Sequence, residues 1–443
     1  MASQPPPTPP PIVNPQGTDK EMLDNLLAET FQYFLDHADP VTGLTADKTQ
    51  PNSPSSIAAV GLSLCAHIVA VERGLVARAD AVSGTLKVLR FLHSSHQGPE
   101  PEATGYKGFF YHFIDMRTGA RAWKSELSTI DTAILMAGIL TAAAYYTLDN
   151  PDEHAIRDLS DALYRRVDWQ WALNGAATIR HGWKPKSGFL KFRWDTDYSE
   201  AHILYMLALG SPTFPIDPQG YNQWISTFKN QTLYGYDHLY AGPLFIHQMS
   251  QQWIDFRGIH DAFNRKTGID YFENSRRATY VQRQYATENP NRWAHYSENN
   301  WGFTASDGPG PCVRKINGER RVFYDYIARG APLGPDDGTI SPWGVIASLP
   351  FAPEIVLPTA RHAIERLDLK KHSYGFDASF NPTFPERSHN PNCWVSPWIF
   401  GLNQGPIILM IENYQSGLMW KLIRQCPYIT QGLQRAGFTS SVL

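Results

Sequence analysis

The acids of this chain come in short groups beside tryptophan and tyrosine, at the points where apolar runs begin. The densest group is Arg193-Trp194-Asp195-Thr196-Asp197-Tyr198-Ser199-Glu200. Splitting a glycosidic bond takes one carboxylic acid to protonate the leaving oxygen and a second carboxylate working from the other side of the sugar. An acid packed against aromatic rings keeps its proton near neutral pH, because desolvation penalises the charged form. Glu200, between Tyr198 and the apolar run 201–209, meets that description. The competing reading makes Asp197 and Glu200 ordinary first-turn helix acids.

Three further groups have the same character. In 124–132, Ser128 and Asp131 fit the N-cap and N3 positions of a helix, while Glu126 and Asp131 could equally project into a cleft. The loops 301–309 and 335–342 are punctuated by Gly and Pro and centred on Asp307 and Asp337, with Trp301 at the start of the first. The stretch 398–414 sets Asn403 and Gln404 before an apolar run that contains Glu412. A lone buried carboxylate is costly, so Glu412 requires an Arg or Lys partner or a network of sugar hydroxyls. Trp123, Trp194 and Trp301 are candidate sugar platforms, and Tyr111, Arg121, Asn403, Gln404 and Glu412 candidate hydroxyl ligands.

Composition narrows the chemistry. Aromatics make up 13% of the 443 residues and charged residues only 18%, a balance that suits either sugar binding, since pyranose rings offer C–H faces to aromatic planes, or a large aromatic core. The net charge of −3, without long runs of either sign, excludes the basic footprint of a nucleic-acid binder. The longest apolar run, 134–146, is too short to insert in a membrane. Nucleotide-binding glycine motifs, HExxH, GxSxG and paired CxxC are absent. The histidines form no ligand-like cluster, so no metal and no cofactor are expected. Cys65 reads as a buried thiol, and a Cys312–Cys393 bridge stays open.

The elements that must position these groups are helices. Apolar residues recur at three- and four-residue spacing from Met22 to Leu35. Similar runs predict helices over 53–71, 77–92, 128–148, 153–173, 198–209, 221–229, 245–263, 275–288, 342–349, 358–367 and 406–424. Strand signals are few: a hairpin from 177–181 to 188–193, and a short strand over 321–324. About a dozen helices in one chain suit an all-α (α/α)6 toroid of six helical hairpins, whose loops gather into a cleft at one end. Residues 1–18 read as a proline-rich flexible leader and 19–443 as one catalytic domain, expected to be a monomer. The leader contains no apolar signal core, so the expected setting, periplasmic or secreted, rests on a signal exchanged for the initiator Met.

Five ordered segments, 108–133, 198–212, 301–309, 336–342 and 401–422, together resemble the bacterial glucoamylase-like domain that includes the endo-β-1,2-glucanases of glycoside hydrolase family 144. The resemblance spans nearly everything after the leader. It implies an (α/α)6 toroid and inverting, metal-free hydrolysis of linear β-1,2-glucan to sophoro-oligosaccharides, with Glu200 as general acid and Asp131 in the same cleft. It departs at Asn403, where the family's Gly-x-Asp-Gln-Gly-Pro motif has an acid that is a candidate for the base side of the reaction. Either another carboxylate serves (Asp131 first, then Asp307 or Asp337), or the chemistry is altered, or the variant is inactive. The alternatives carried forward are exo-release of sophorose, transglycosylation, and a silent glucan-binding protein.

Overall fold

The computed structural model describes residues 17–366, 373–385 and 393–439; of the expected leader, residues 1–16 lie outside the described residues. The architecture is mostly helical, with strands of two to five residues paired in small antiparallel sheets. The helices Ile57–Glu72 and Thr129–Tyr145 are apolar on nearly every face, which requires that other elements surround them. Gly401–Gln415 packs beside the first and His202–Gly210 beside the second, and Arg78–Ser94 pairs with Pro151–Arg165. One continuous apolar core runs through all of them.

The two central helices touch backbone to backbone. A Cβ on Gly138 would lie 2.1 Å from the Gly61 carbonyl oxygen, and one on Gly61 would lie 2.6 Å from that of Ile134. Gly138→Ala is therefore expected to cost about 2 kcal/mol through overpacking. Gly84→Ala, in an open helical position, should be neutral or stabilising by up to about 1 kcal/mol. Urea midpoints of the two variants check this, and equal midpoints would remove the close approach as a constraint.

Where the helices start matters more than how they pack. Ser56, Ser128 and Phe400 are the N-caps of Ile57–Glu72, Thr129–Tyr145 and Gly401–Gln415, and all three line one cavity. Glu200 lies in the turn that precedes His202–Gly210 and lines it as well. The positive ends of several helices thus meet around the acids.

Several expected boundaries are corrected. The helix read over 153–173 ends at Arg165, because Asp168 caps a new short helix, Trp169–Ala172. The run 245–263 splits into Leu244–Gln248, a turn of 3-10 helix at Ser250–Gln252, and Ala262–Thr267, which Asp261 starts with its own capping box. The helix expected from Pro406 to 424 begins at Gly401, encloses Pro406, and restarts at Leu418 after Gly417 takes a left-handed φ of 69°. The hairpin's strands are Gly182–Lys184 and Gly188–Phe189, extended onto Leu127–Ser128, and the expected 177–181 arm joins it through the Arg180–Arg193 bridge, with the His181 N–H donating to the Phe192 carbonyl at 3.1 Å. The strand read over 321–324 is Glu319–Phe323, paired with Cys312–Ile316. Cys65 is fully buried, as its helical setting predicts.

Candidate active site

The cavity at the helix N-termini holds about 570 Å³. Among the described residues, six carboxyl groups line it: Asp47, Glu126, Asp131, Glu200, Asp307 and Asp325. Lys48, His112 and His181 are the basic side chains in its wall, and Phe113, Trp123, Trp194, Tyr326, Trp343 and Phe400 supply aromatic surface.

Asp131 satisfies both readings of its segment. Its backbone N–H donates to the Ser128 hydroxyl at 3.2 Å, a helix cap, and the same hydroxyl donates back to its carboxylate at 2.5 Å. That carboxylate also faces the cavity, with His112 Nε2 3.7 Å away. Glu126 accepts from His112 Nδ1 at 3.1 Å. This hydrogen bond holds the Glu126 carboxyl down at about 2 against the opposing effect of burial.

Glu200 is placed by a clamp. The Ser250 hydroxyl donates to the Glu200 carbonyl at 2.7 Å and accepts from the Ile203 N–H at 3.0 Å, so the break in the 245–263 helix serves the turn that carries the acid. Burial pushes the Glu200 carboxyl up to about 7, and the nearby charge of Asp131 adds to the rise. Asp47 is pushed up to about 6, again chiefly by burial, with Lys48 and His112 opposing. Asp307 is raised by burial while accepting a hydrogen bond from Ser396 at 2.9 Å. A wall with one carboxyl protonated near neutrality and another held as the anion is the arrangement for paired acid and base work.

The other expected site residues divide by location. Trp123 stands at the rim, 55% exposed in a left-handed backbone turn (φ 51°), with the Lys48 ammonium 5.6 Å from its ring centre. Trp194 lines the wall, stacked 3.9 Å from His181, and its indole N–H donates to Thr129. Asp195 and Asp197, its neighbours in the acid-rich string, do not line the cavity.

Seven candidates lie outside the cavity lining. Tyr111 is fully buried, and Arg121 covers its ring while bonding the Lys124 and Ser125 carbonyls. Trp301 is a core residue that donates to Thr359. Asp337 is sealed in an ion pair with Arg329 at 2.8 Å. Asn403 is buried at the start of its helix, and Gln404 donates to the Tyr374 carbonyl. Glu412 finds the partner that its burial demands in Arg73, 2.5 Å away, with Ser416 adding a hydrogen bond. Arg121 also misses the lining, since its guanidinium is spent on the loop that presents Trp123.

Asp47, Lys48, His112, His181, Asp325 and Tyr326 line the cavity without having been singled out in the sequence. A signal existed for His112. The Asp115–Gly119 turn folds 112 back against 126, where the His112 N–H donates to the Glu126 carbonyl at 2.9 Å. Asp47 and Lys48 sit on an irregular loop held by isolated bridges, and no local pattern marks them.

Known proteins share this fold. Residues 191–427, more than half of the chain, match the Glycoamylase family model, described as "Putative glucoamylase". A crystal structure from Bacteroides uniformis described in the same words is 32% identical, with 97% of this chain and 99% of that one covered at a TM-score of 0.83. An endo-β-1,2-glucanase from Chitinophaga pinensis, solved with sophorotriose and glucose, is 27% identical over 96% of this chain and all of that one, also at 0.83. A curated relative from Parabacteroides distasonis, an exo β-1,2-glucooligosaccharide sophorohydrolase acting at the non-reducing end, is 27% identical over 94% of this chain. The chain spans 58% of that relative's length. By the family match and by the Bacteroides likeness over the full length of both chains, this protein belongs to the glycoamylase family.

Proposed function

We propose that this protein is an inverting, endo-acting hydrolase of linear β-1,2-glucan, built on an (α/α)6 toroid. The observation that carries the reading is the pairing in one cavity of Glu200, raised to about 7, with Asp131 close enough to contribute to that rise. Glu200 donates its proton to the glycosidic oxygen as the bond to the anomeric carbon breaks. Water attacks that carbon from the opposite face and gives up a proton to Asp131, which leaves a hemiacetal of inverted configuration. Asp337, committed to Arg329, and Asn403, a buried amide, do not supply this base. Trp123 and Trp194 offer the faces on which glucosyl rings stack. Support for the linkage comes from the Chitinophaga and Parabacteroides relatives, both named for action on β-1,2-linked glucose chains.

The Parabacteroides likeness favours a second reading, exo-release of sophorose from the same cavity. Incubation with long linear β-1,2-, β-1,3- and α-1,4-glucans tests both. New reducing ends from the β-1,2-glucan alone, a ladder of product sizes, and mutarotation from an α-product are expected. Disaccharide as the sole early product would replace the endo reading with the exo one, and no release from the β-1,2-glucan would end both.

A further inference from the structure

The imidazole of His112 meets a carboxylate at each of its nitrogens: Glu126 at 3.1 Å from Nδ1 and Asp131 at 3.7 Å from Nε2. A neutral imidazole offers one N–H, so only the imidazolium can serve an acid on both sides. The ring has little freedom to turn away. Phe113 stacks on it at 3.9 Å and an interplanar angle of 15°. Its backbone N–H donates to the Glu126 carbonyl, and its own carbonyl accepts from the Ile57 N–H at 3.2 Å. The residue therefore ties the first turn of one central helix to the segment that opens the other.

We propose that His112 is a positioning residue, which acts through Glu126 and Asp131 to fix the place and the charge of the carboxylates that share the cavity with Glu200. The proposal rests on the hydrolytic reading of the cavity but concerns how its charges are distributed. The groups facing the ring are Glu126, just before the strand Leu127–Ser128, Asp131 from the first turn of Thr129–Tyr145, and Asp47 from the loop that carries Lys48. Burial alone would lower the imidazole, but Asp131, Glu126 and Asp47 together raise it to about 9. The cation in turn holds Glu126 down and opposes the burial that raises Asp47. With Glu126 held as the anion by its bond to His112, Glu200, raised to about 7, is the carboxyl placed to carry the proton.

His112→Gln keeps a donor but removes the charge. Its kcat on linear β-1,2-glucan should fall by about 10²-fold, and the acidic limb of its pH profile should move up by about one pH unit, as carboxylates lose a close cation. His112→Lys should bring the limb back toward the wild-type position while kcat stays low. A structural role would lower kcat in both and leave the limb in place, and that result overturns the proposal. A second measurement needs no substrate. The ring nitrogens of His112, identified in the ¹⁵N spectrum by their loss in His112→Gln, should be doubly protonated at pH 7.5, and in Glu126→Gln they should deprotonate at lower pH. A ring that is neutral at pH 7.5 in the wild type overturns the proposal whether or not glucan is cleaved; a wild type that cleaves no β-1,2-glucan while its ring stays charged overturns only the functional reading.

Discussion

Glu200→Gln is expected to lower turnover of β-1,2-glucan by about 10³-fold, the scale of a lost general acid, while the thermal midpoint stays near the wild-type value. Gln has the shape of the protonated carboxyl and keeps the clamp, because Ser250 bonds the backbone of residue 200 rather than its side chain. What it lacks is the proton. The wild-type profile should show the same requirement. A carboxyl raised to about 7 is mostly protonated below that pH and mostly ionised above it, so kcat should fall as pH rises through 7. In Glu200→Gln that limb should vanish with the activity. A sophorosyl substrate with fluoride as leaving group needs no protonation, and on it the variant should recover most of its loss. Near-normal turnover of the polymer by Glu200→Gln would sink the assignment. A loss of equal size on the fluoride would shift Glu200 from acid to a binding role.

The residues that could be read from the sequence were those whose surroundings are local. Glu200 sits next to Tyr198 and an apolar run, and Asp131 lies three residues past its cap, so neighbours in the chain are also neighbours in space. The central helices were legible for the same reason, since an uninterrupted apolar stretch behaves alike in any context. Long-range partnerships were not. Asp337 looks like a turn acid with a free carboxylate until Arg329, folded back from the preceding strand, closes on it. Glu412 needed a partner on energetic grounds, and the sequence could not say that Arg73, 339 residues away in the chain, would be there instead of a sugar. Trp301 and Tyr111 carry as much apolar surface as any sugar platform. In them the core reading of the aromatic composition wins, because burial of a large ring stabilises the fold: Trp301 gives its polar edge to Thr359, and Arg121 covers the buried ring of Tyr111. The helix Pro427–Arg435 escaped notice because its buried face is only Ile429, Gly432 and Leu433, too few residues for a period to stand out, and its closest approach is Gly432 to the Met206 carbonyl, 2.1 Å from where a Cβ would be. A glycine leaves no apolar signature.

The pair that closed Asp337 to substrate should prove the costliest place to alter the fold around the cavity. Arg329 and Asp337 are 1% and 0% exposed, joined at 2.8 Å and again at 2.9 Å. The remaining oxygens and N–H groups are spoken for: Asp337 accepts from the Tyr324 and Thr339 backbones, and Arg329 donates to the carbonyls of Ser306, Tyr324 and Asp325. The guanidinium thus gathers the loops that deliver Asp307 and Asp325 to the cavity wall. Arg329→Met fills similar space but leaves a carboxylate buried without its counter-ion, and breaking a buried pair in this way costs about 3–5 kcal/mol. Asp337→Asn retains an acceptor for only one of the two backbone N–H groups, which bond different oxygens, and leaves the arginine charge uncompensated, so it should also destabilise. The double variant removes both charges and should cost less than the sum of the two, a coupling that a double-mutant cycle in urea reads directly. If the singles each cost under about 1 kcal/mol, or add without coupling, the pair is no brace. Where enough folded Arg329→Met remains to assay, KM for β-1,2-glucan should rise more than kcat falls, because Asp307 and Asp325 lose their anchorage while the Ser250 clamp on Glu200 lies on other elements and stays intact.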